Sequence, residues 1–124
     1  MITTKGPILI VDDDADTRAM VELILQENGF DVIVCDGGQA ALDALKINTP
    51  QLVLLDIMMP EVDGYTVLTS MKHNEETAKI PVIMLTAKDQ GDEIISGYQH
   101  GADYYIPKPF TTKQLLYGIK LFLN

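Results

Sequence analysis

The strongest constraint on this chain is its rhythm. Apolar runs of four to six residues recur near 7–12, 31–35, 51–55, 80–85 and 103–106, and segments with helical spacing fill the gaps. Runs this short, bounded by turn residues, read as strands rather than helices. Two of them, Ile8-Leu9-Ile10-Val11 and Leu52-Val53-Leu54-Leu55, show no polar alternation. Strands apolar on both faces need cover on both faces, and helices alternating with parallel strands supply it. The 47% hydrophobic content can form a core, and 124 residues is the size of one domain. Residues 1–124 are therefore expected to form a single α/β domain.

The helical segments carry their own punctuation. In the first, Met20, Val21, Ile24 and Leu25 form the apolar stripe, with Asp14 as N-cap and Gly29 as the stop. The second holds Ala41, Leu42 and Leu45 and ends before Pro50; the third holds Val67, Leu68 and Met71. A further segment, roughly 88–100, contains Gly91 and Gly97 and should be a marginal helix. The last opens on a capping box, Thr111-x-x-Gln114, and continues with Leu115, Leu116, Ile119 and Phe122. Pro107 cannot donate to a strand ladder, which puts the fifth strand at an edge. The doubly wound, flavodoxin-like (βα)5 sheet of order 2-1-3-4-5 satisfies this and puts its switch point between strands 1 and 3.

The formal net charge is −9, and the nine basic residues are scattered. Nucleic-acid binding needs clustered Lys and Arg, so none is expected of this chain. The single cysteine, Cys35, allows no internal disulfide and is expected as a small buried thiol. No apolar run approaches the ~18 residues of a membrane span. Residues 1–6 lack the apolar core of a signal peptide. The expectation is a cytoplasmic protein without membrane association.

Four of the five runs end in residues suited to phosphate chemistry. They run into Asp12-Asp13-Asp14, Asp56, Thr86 and Lys108. In neighbouring parallel strands these ends meet in one crevice. Crowded carboxylates raise one another's pKa unless a cation relieves them. Hard oxygen ligands suit Mg²⁺, with Mn²⁺ as the substitute. Two or three protein ligands leave room for water and a phosphate, so the metal should bind weakly alone and more tightly with a phosphoryl group.

The motifs Val11-Asp12-Asp13, Leu55-Asp56-Ile57-Met58-Met59-Pro60-x-x-x-Gly64, Leu85-Thr86-Ala87 and Gly101-Ala102-Asp103-Tyr104-Tyr105-Ile106-Pro107-Lys108-Pro109-Phe110 occur in this order. Together they make the chain, from Ile8 onward, resemble the response-regulator receiver domains of two-component signalling. The resemblance implies that Asp56 accepts a phosphoryl group from a phosphohistidine, on a sensor histidine kinase or a phosphotransfer protein. It implies that Asp13 and Asp56 ligate Mg²⁺, Asp12 mainly through water, with the Met58 carbonyl as a further ligand. Lys108 would pair with a phosphoryl oxygen, and Thr86 and the Ala87 amide would donate to others. Tyr105 would change rotamer as Thr86 moves. The surface of segment 88–100, strand 5 and the last helix would then engage an output protein or a tethered effector domain. A signalling domain, not a turnover enzyme, is implied. Lys108-Pro109 is a candidate cis peptide. Asp14 reads as a helix cap, and His73 and His100 as loop or helix-end residues.

Two positions depart from the family's commoner choices: Met58, two after the acceptor, and Lys88, two after the threonine. Both would hinder an attacking water, so the expectation is a phosphorylated state longer-lived than in chemotaxis-type members. Ile94 and Tyr104 stand where DNA-binding winged-helix members usually carry charges, which disfavours their charge-paired dimer. An apolar patch at Ile94, Ile95 and Tyr98 would suit another homodimer or a partner contact. An acyl-phosphate hydrolase would want a second Asp at position 58. A binding-only relative would not need Asp12, Asp13, Asp56, Thr86 and Lys108 together. A free-standing regulator and a segment of a larger regulator or hybrid kinase both remain open.

Overall fold

Pro107 sits where its missing amide does least harm, in an edge strand. The computed structural model describes residues 6–87 and 101–123. Its strands are β1 (Ile8–Val11), β2 (Val32–Cys35), β3 (Leu52–Asp56), β4 (Val82–Ala87) and β5 (Tyr104–Lys108), in one sheet of order β2-β1-β3-β4-β5. Every pairing is parallel. The helices among the described residues are α1 (Ala15–Glu27), α2 (Gly38–Ile47), α3 (Gly64–Lys72) and α4 (Thr112–Lys120). This is the flavodoxin-like architecture that the sequence implies. The helix expected at 88–100, with Lys88, Gly91, Ile94, Ile95, Gly97, Tyr98 and His100, lies outside the described residues.

The central strands alternate between two cores. Leu9, Val11, Val53, Leu55 and Met84 face one layer with Val67, Leu68 and Met71 of α3 and Ala41 of α2. Ile8, Ile10, Leu52, Leu54 and Ile83 face the other with Val21 and Leu25 of α1 and Leu115 and Ile119 of α4. Each fully buried side chain of this kind contributes about 1.5–3 kcal/mol.

The caps follow the sequence. Asp14 accepts the Thr17 amide at the start of α1, and Gly29 beyond its end has φ +86°. Thr111 and Gln114 form the reciprocal capping box of α4. The α1 stripe is turned slightly from expectation. Val21, Ile24 and Leu25 are buried, whereas Met20 is 41% exposed and lies with Leu23 on the outer face. Asp103 fastens β5 to its neighbours: its Oδ2 accepts the Val82 amide at 2.8 Å and lies 3.9 Å from Lys72 Nζ of α3. Cys35 is buried at the end of β2, as expected.

Candidate phosphoacceptor site

β1 and β3 are adjacent, so their carboxyl ends deliver Asp12 and Asp56 to the same place. Asp12 is fully buried, and both its carboxylate oxygens have protein donors. Lys108 Nζ donates to Oδ2 at 2.7 Å, and the Asp14 amide donates to Oδ1 at 2.9 Å. Asp13 is exposed beside it. Asp14 leaves the cluster as expected. Its Oδ2 takes the Thr17 hydroxyl at 2.6 Å and the Thr17 amide at 3.0 Å. Those bonds, the hydroxyl first, hold its pKa below the ordinary carboxylate value.

Asp56 closes β3 and is buried. Its Oδ1 lies 3.6 Å from Lys108 Nζ and 3.4 Å from the Met58 amide. Burial, and then the neighbouring Asp12 charge, raise its pKa from 3.8 to about 7, with Lys108 opposing. Carboxylate repulsion alone thus gives the right direction but the secondary cause. Asp12, Asp13 and Asp56 each offer an oxygen within 4.8 Å of the others. Three carboxylates against one ammonium leave uncompensated negative charge, and clustered oxygens suit a small hard cation.

The loop after Asp56 is held tightly. The Ile57 amide donates to the Leu85 carbonyl at 3.2 Å, and the Gly64 amide donates to the Ile57 carbonyl at 2.9 Å. A Cβ on Gly64 would lie 2.2 Å from the Asp56 carbonyl oxygen, so the close approach requires glycine. Glu61 has φ +68° in a tight turn closed by the Val62 amide on the Pro60 carbonyl at 2.8 Å. Ile57 and Met59 are buried on either side of an exposed Met58.

The other ends arrive through β4 and β5. Thr86 is buried and pairs in register with Pro107, Ala87 with Lys108, and Met84 with Tyr105. Thr86, two residues beyond Met84, therefore shares a sheet face with the buried Tyr105. The Lys108–Pro109 peptide is cis. His73 caps the end of α3, its ring nitrogen 2.8 Å from the Thr69 carbonyl. The sequence reading missed Arg18, whose Nη1 donates to the Asp12 carbonyl at 2.8 Å. The available signal was a basic residue on the helix that leaves the acidic turn.

The sequence model of the response regulator receiver domain matches residues 8–120. Among curated relatives, the chain is 42% identical over 120 residues to a probable transcriptional regulator, ycf27, of Porphyridium aerugineum, covering 97% of this chain and 49% of the relative. It is 38% identical over 124 residues to the DNA-binding response regulator MtrA of Mycobacterium tuberculosis, covering 100% of this chain and 53% of MtrA. The chain thus spans about half the length of these relatives. Among solved structures, a putative response regulator from Chloroflexus aurantiacus superposes with TM-score 0.92 at 34% identity, covering 97% of this chain and 98% of that one.

These relatives correct one expectation. The acidic balance and scattered basic residues lead to the expectation of no nucleic-acid binding by this chain. MtrA is by name a DNA-binding response regulator, so a chain like this one occurs within proteins that bind DNA, and the exclusion does not hold. Charge acts locally: a net charge of −9 belongs to this chain and says nothing about a basic surface elsewhere in a polypeptide. A match over residues 8–120, a shared fold and the relatives agree: the chain belongs to the response regulator receiver domain family, the phosphoaccepting signalling domains of two-component response regulators.

Proposed function

We propose that Asp56 is the residue phosphorylated. The observation that carries this is the convergence of Asp12, Asp13 and Asp56 within 4.8 Å, with Lys108 Nζ at 2.7 Å from Asp12 and 3.6 Å from Asp56. An ionised Asp56 oxygen attacks the phosphorus of a phosphohistidine. The P–N bond breaks, its electron pair stays on the imidazole nitrogen, and an acyl phosphate forms. Sensor histidine kinases and phosphotransfer proteins are the proposed donors. Lys108 pairs with a phosphoryl oxygen, the Thr86 hydroxyl and Ala87 amide donate to others, and the protein's contribution is alignment and neutralisation.

The residues fit a divalent cation: Asp13 and Asp56 by carboxylate, Met58 by carbonyl, and Asp12 through water, since both its oxygens already have protein donors. Mg²⁺, or Mn²⁺ in its place, supplies charge neutralisation when bound. Thr86 and Tyr105, on one sheet face, are the proposed switch. They act on the surface of β5 and α4. A tethered effector that binds DNA, as the name of MtrA records for that relative, is the proposed output, within the cytoplasm. A separate output protein uses the same surface. Catalysis is confined to the domain's own phosphorylation and dephosphorylation.

Intact mass measurement after incubation with Mg²⁺ and acetyl phosphate tests this reading. One phosphoryl unit should be gained, Asp56→Asn should gain none, and EDTA should prevent the gain. An equal gain in Asp56→Asn would place the acceptor elsewhere.

A further inference from the structure

Met58 stands apart from the other described methionines. It is 62% exposed, against 41% for Met20 and 8% or less for Met59, Met71 and Met84. Its place is also fixed. Ile57 and Met59 are buried on either side, and the Gly64 amide holds the Ile57 carbonyl at 2.9 Å. The Met58 amide faces Asp56 Oδ1 at 3.4 Å. The backbone is therefore anchored beside Asp56 while the residue is largely exposed to solvent. Nothing in the core depends on that side chain, so its chemistry can change without loss of the fold.

We propose that Met58 is a site of reversible oxidation that sets the lifetime of the phosphorylated state. The proposal rests on Asp56 being the acceptor. The oxidant class is a peroxide. The Met58 sulfur gives an electron pair to one peroxide oxygen, the O–O bond breaks and an S–O bond forms. The sulfur loses two electrons, and the peroxide's other oxygen leaves as water after proton transfer. The product is a sulfoxide, a polar side chain with a strong acceptor oxygen, and sulfoxide reductases return it to the thioether. An apolar group at the crevice mouth gives an attacking water no partner. A sulfoxide oxygen there accepts a hydrogen bond from that water and orients it toward the acyl phosphate. Oxidation thus shortens the signal.

The chain is treated with hydrogen peroxide, and peptide masses locate the added oxygen. It is then phosphorylated with acetyl phosphate and Mg²⁺, freed of donor, and followed by mass. Met58 should gain oxygen before Met20. The phosphorylated half-life should fall about threefold or more, the scale of one hydrogen bond to the attacking water. Methionine sulfoxide reductase should restore it. Met58→Leu, compared only with itself, should show no effect of peroxide, and Met58→Asn should decay faster than the parent chain without oxidant. An unchanged half-life once Met58 is oxidised, or an equal loss in Met58→Leu, overturns the proposal. Absence of phosphorylation before any peroxide is a different result: it removes Asp56 as acceptor, and this inference with it.

Discussion

Asp56 is pulled two ways by its surroundings. The proposed chemistry needs its carboxylate, while burial and Asp12 favour the protonated acid and raise its pKa to about 7. A carboxyl with a raised native pKa binds more protons folded than unfolded across the interval from 3.8 to about 7. Its contribution to stability is present below that interval and is lost as pH rises through it. Asp56→Asn removes the titrating charge and leaves Lys108 its partner at Asp12. The variant should therefore be more stable than the parent above about pH 8, by about 1–3 kcal/mol, the penalty for a poorly satisfied buried group. That corresponds to a rise in Tm of roughly 4–15 °C. The gap should shrink toward about pH 4. Thermal unfolding across pH, without divalent metal, measures it, and a pH-independent gap would contradict the proposed cause.

At the scale of elements, the turn from β3 into α3 sets the position of Asp56 through one close contact. Gly64→Ala places a methyl group 2.2 Å from the Asp56 carbonyl oxygen and 2.9 Å from Ile57 Cα. The backbone must yield, so we expect a stability loss of about 1–3 kcal/mol. Phosphorylation by acetyl phosphate should slow about tenfold or more as the aligned geometry is lost. Denaturant unfolding and a time course of phosphoryl uptake read the two effects separately. Unaltered uptake would show that the turn tolerates the methyl group without moving Asp56. The elements themselves were legible because their signals are local: unbroken apolar runs, Asp14 and Thr111 as caps, Gly29 as a stop and Pro107 as an edge marker. The tilt of the α1 stripe, which exposes Met20, depends on packing against the sheet. The Arg18 contact and the pairing of Lys108 with Asp12 are tertiary, and no spacing rule points to them.

Across the whole molecule, the proposed divalent cation at the Asp12, Asp13 and Asp56 cluster would couple metal binding to stability. A ligand that binds only the folded state adds stability by mass action, about 2.7 kcal/mol at one hundred times its Kd. Mg²⁺ should therefore raise Tm, EDTA should cancel the rise, and Asp13→Asn should respond at least about tenfold more weakly in apparent affinity. Calorimetric scans over a Mg²⁺ series check this, and an identical response in Asp13→Asn would remove that residue from the proposed ligand set. No helix among the described residues is long and apolar enough to cross a membrane.

The bond between Lys108 and Asp12 joins residues 96 positions apart in the chain. The crevice is therefore complete only after β5 has been made. A ribosome-bound chain that has already emerged through β3 carries Asp56, but not the lysine that faces it. Competence for phosphoryl transfer then reports that the fold has closed from its first strand to its last. A refolding experiment read by phosphoryl uptake would time that closure, where a helix signal would record only its parts.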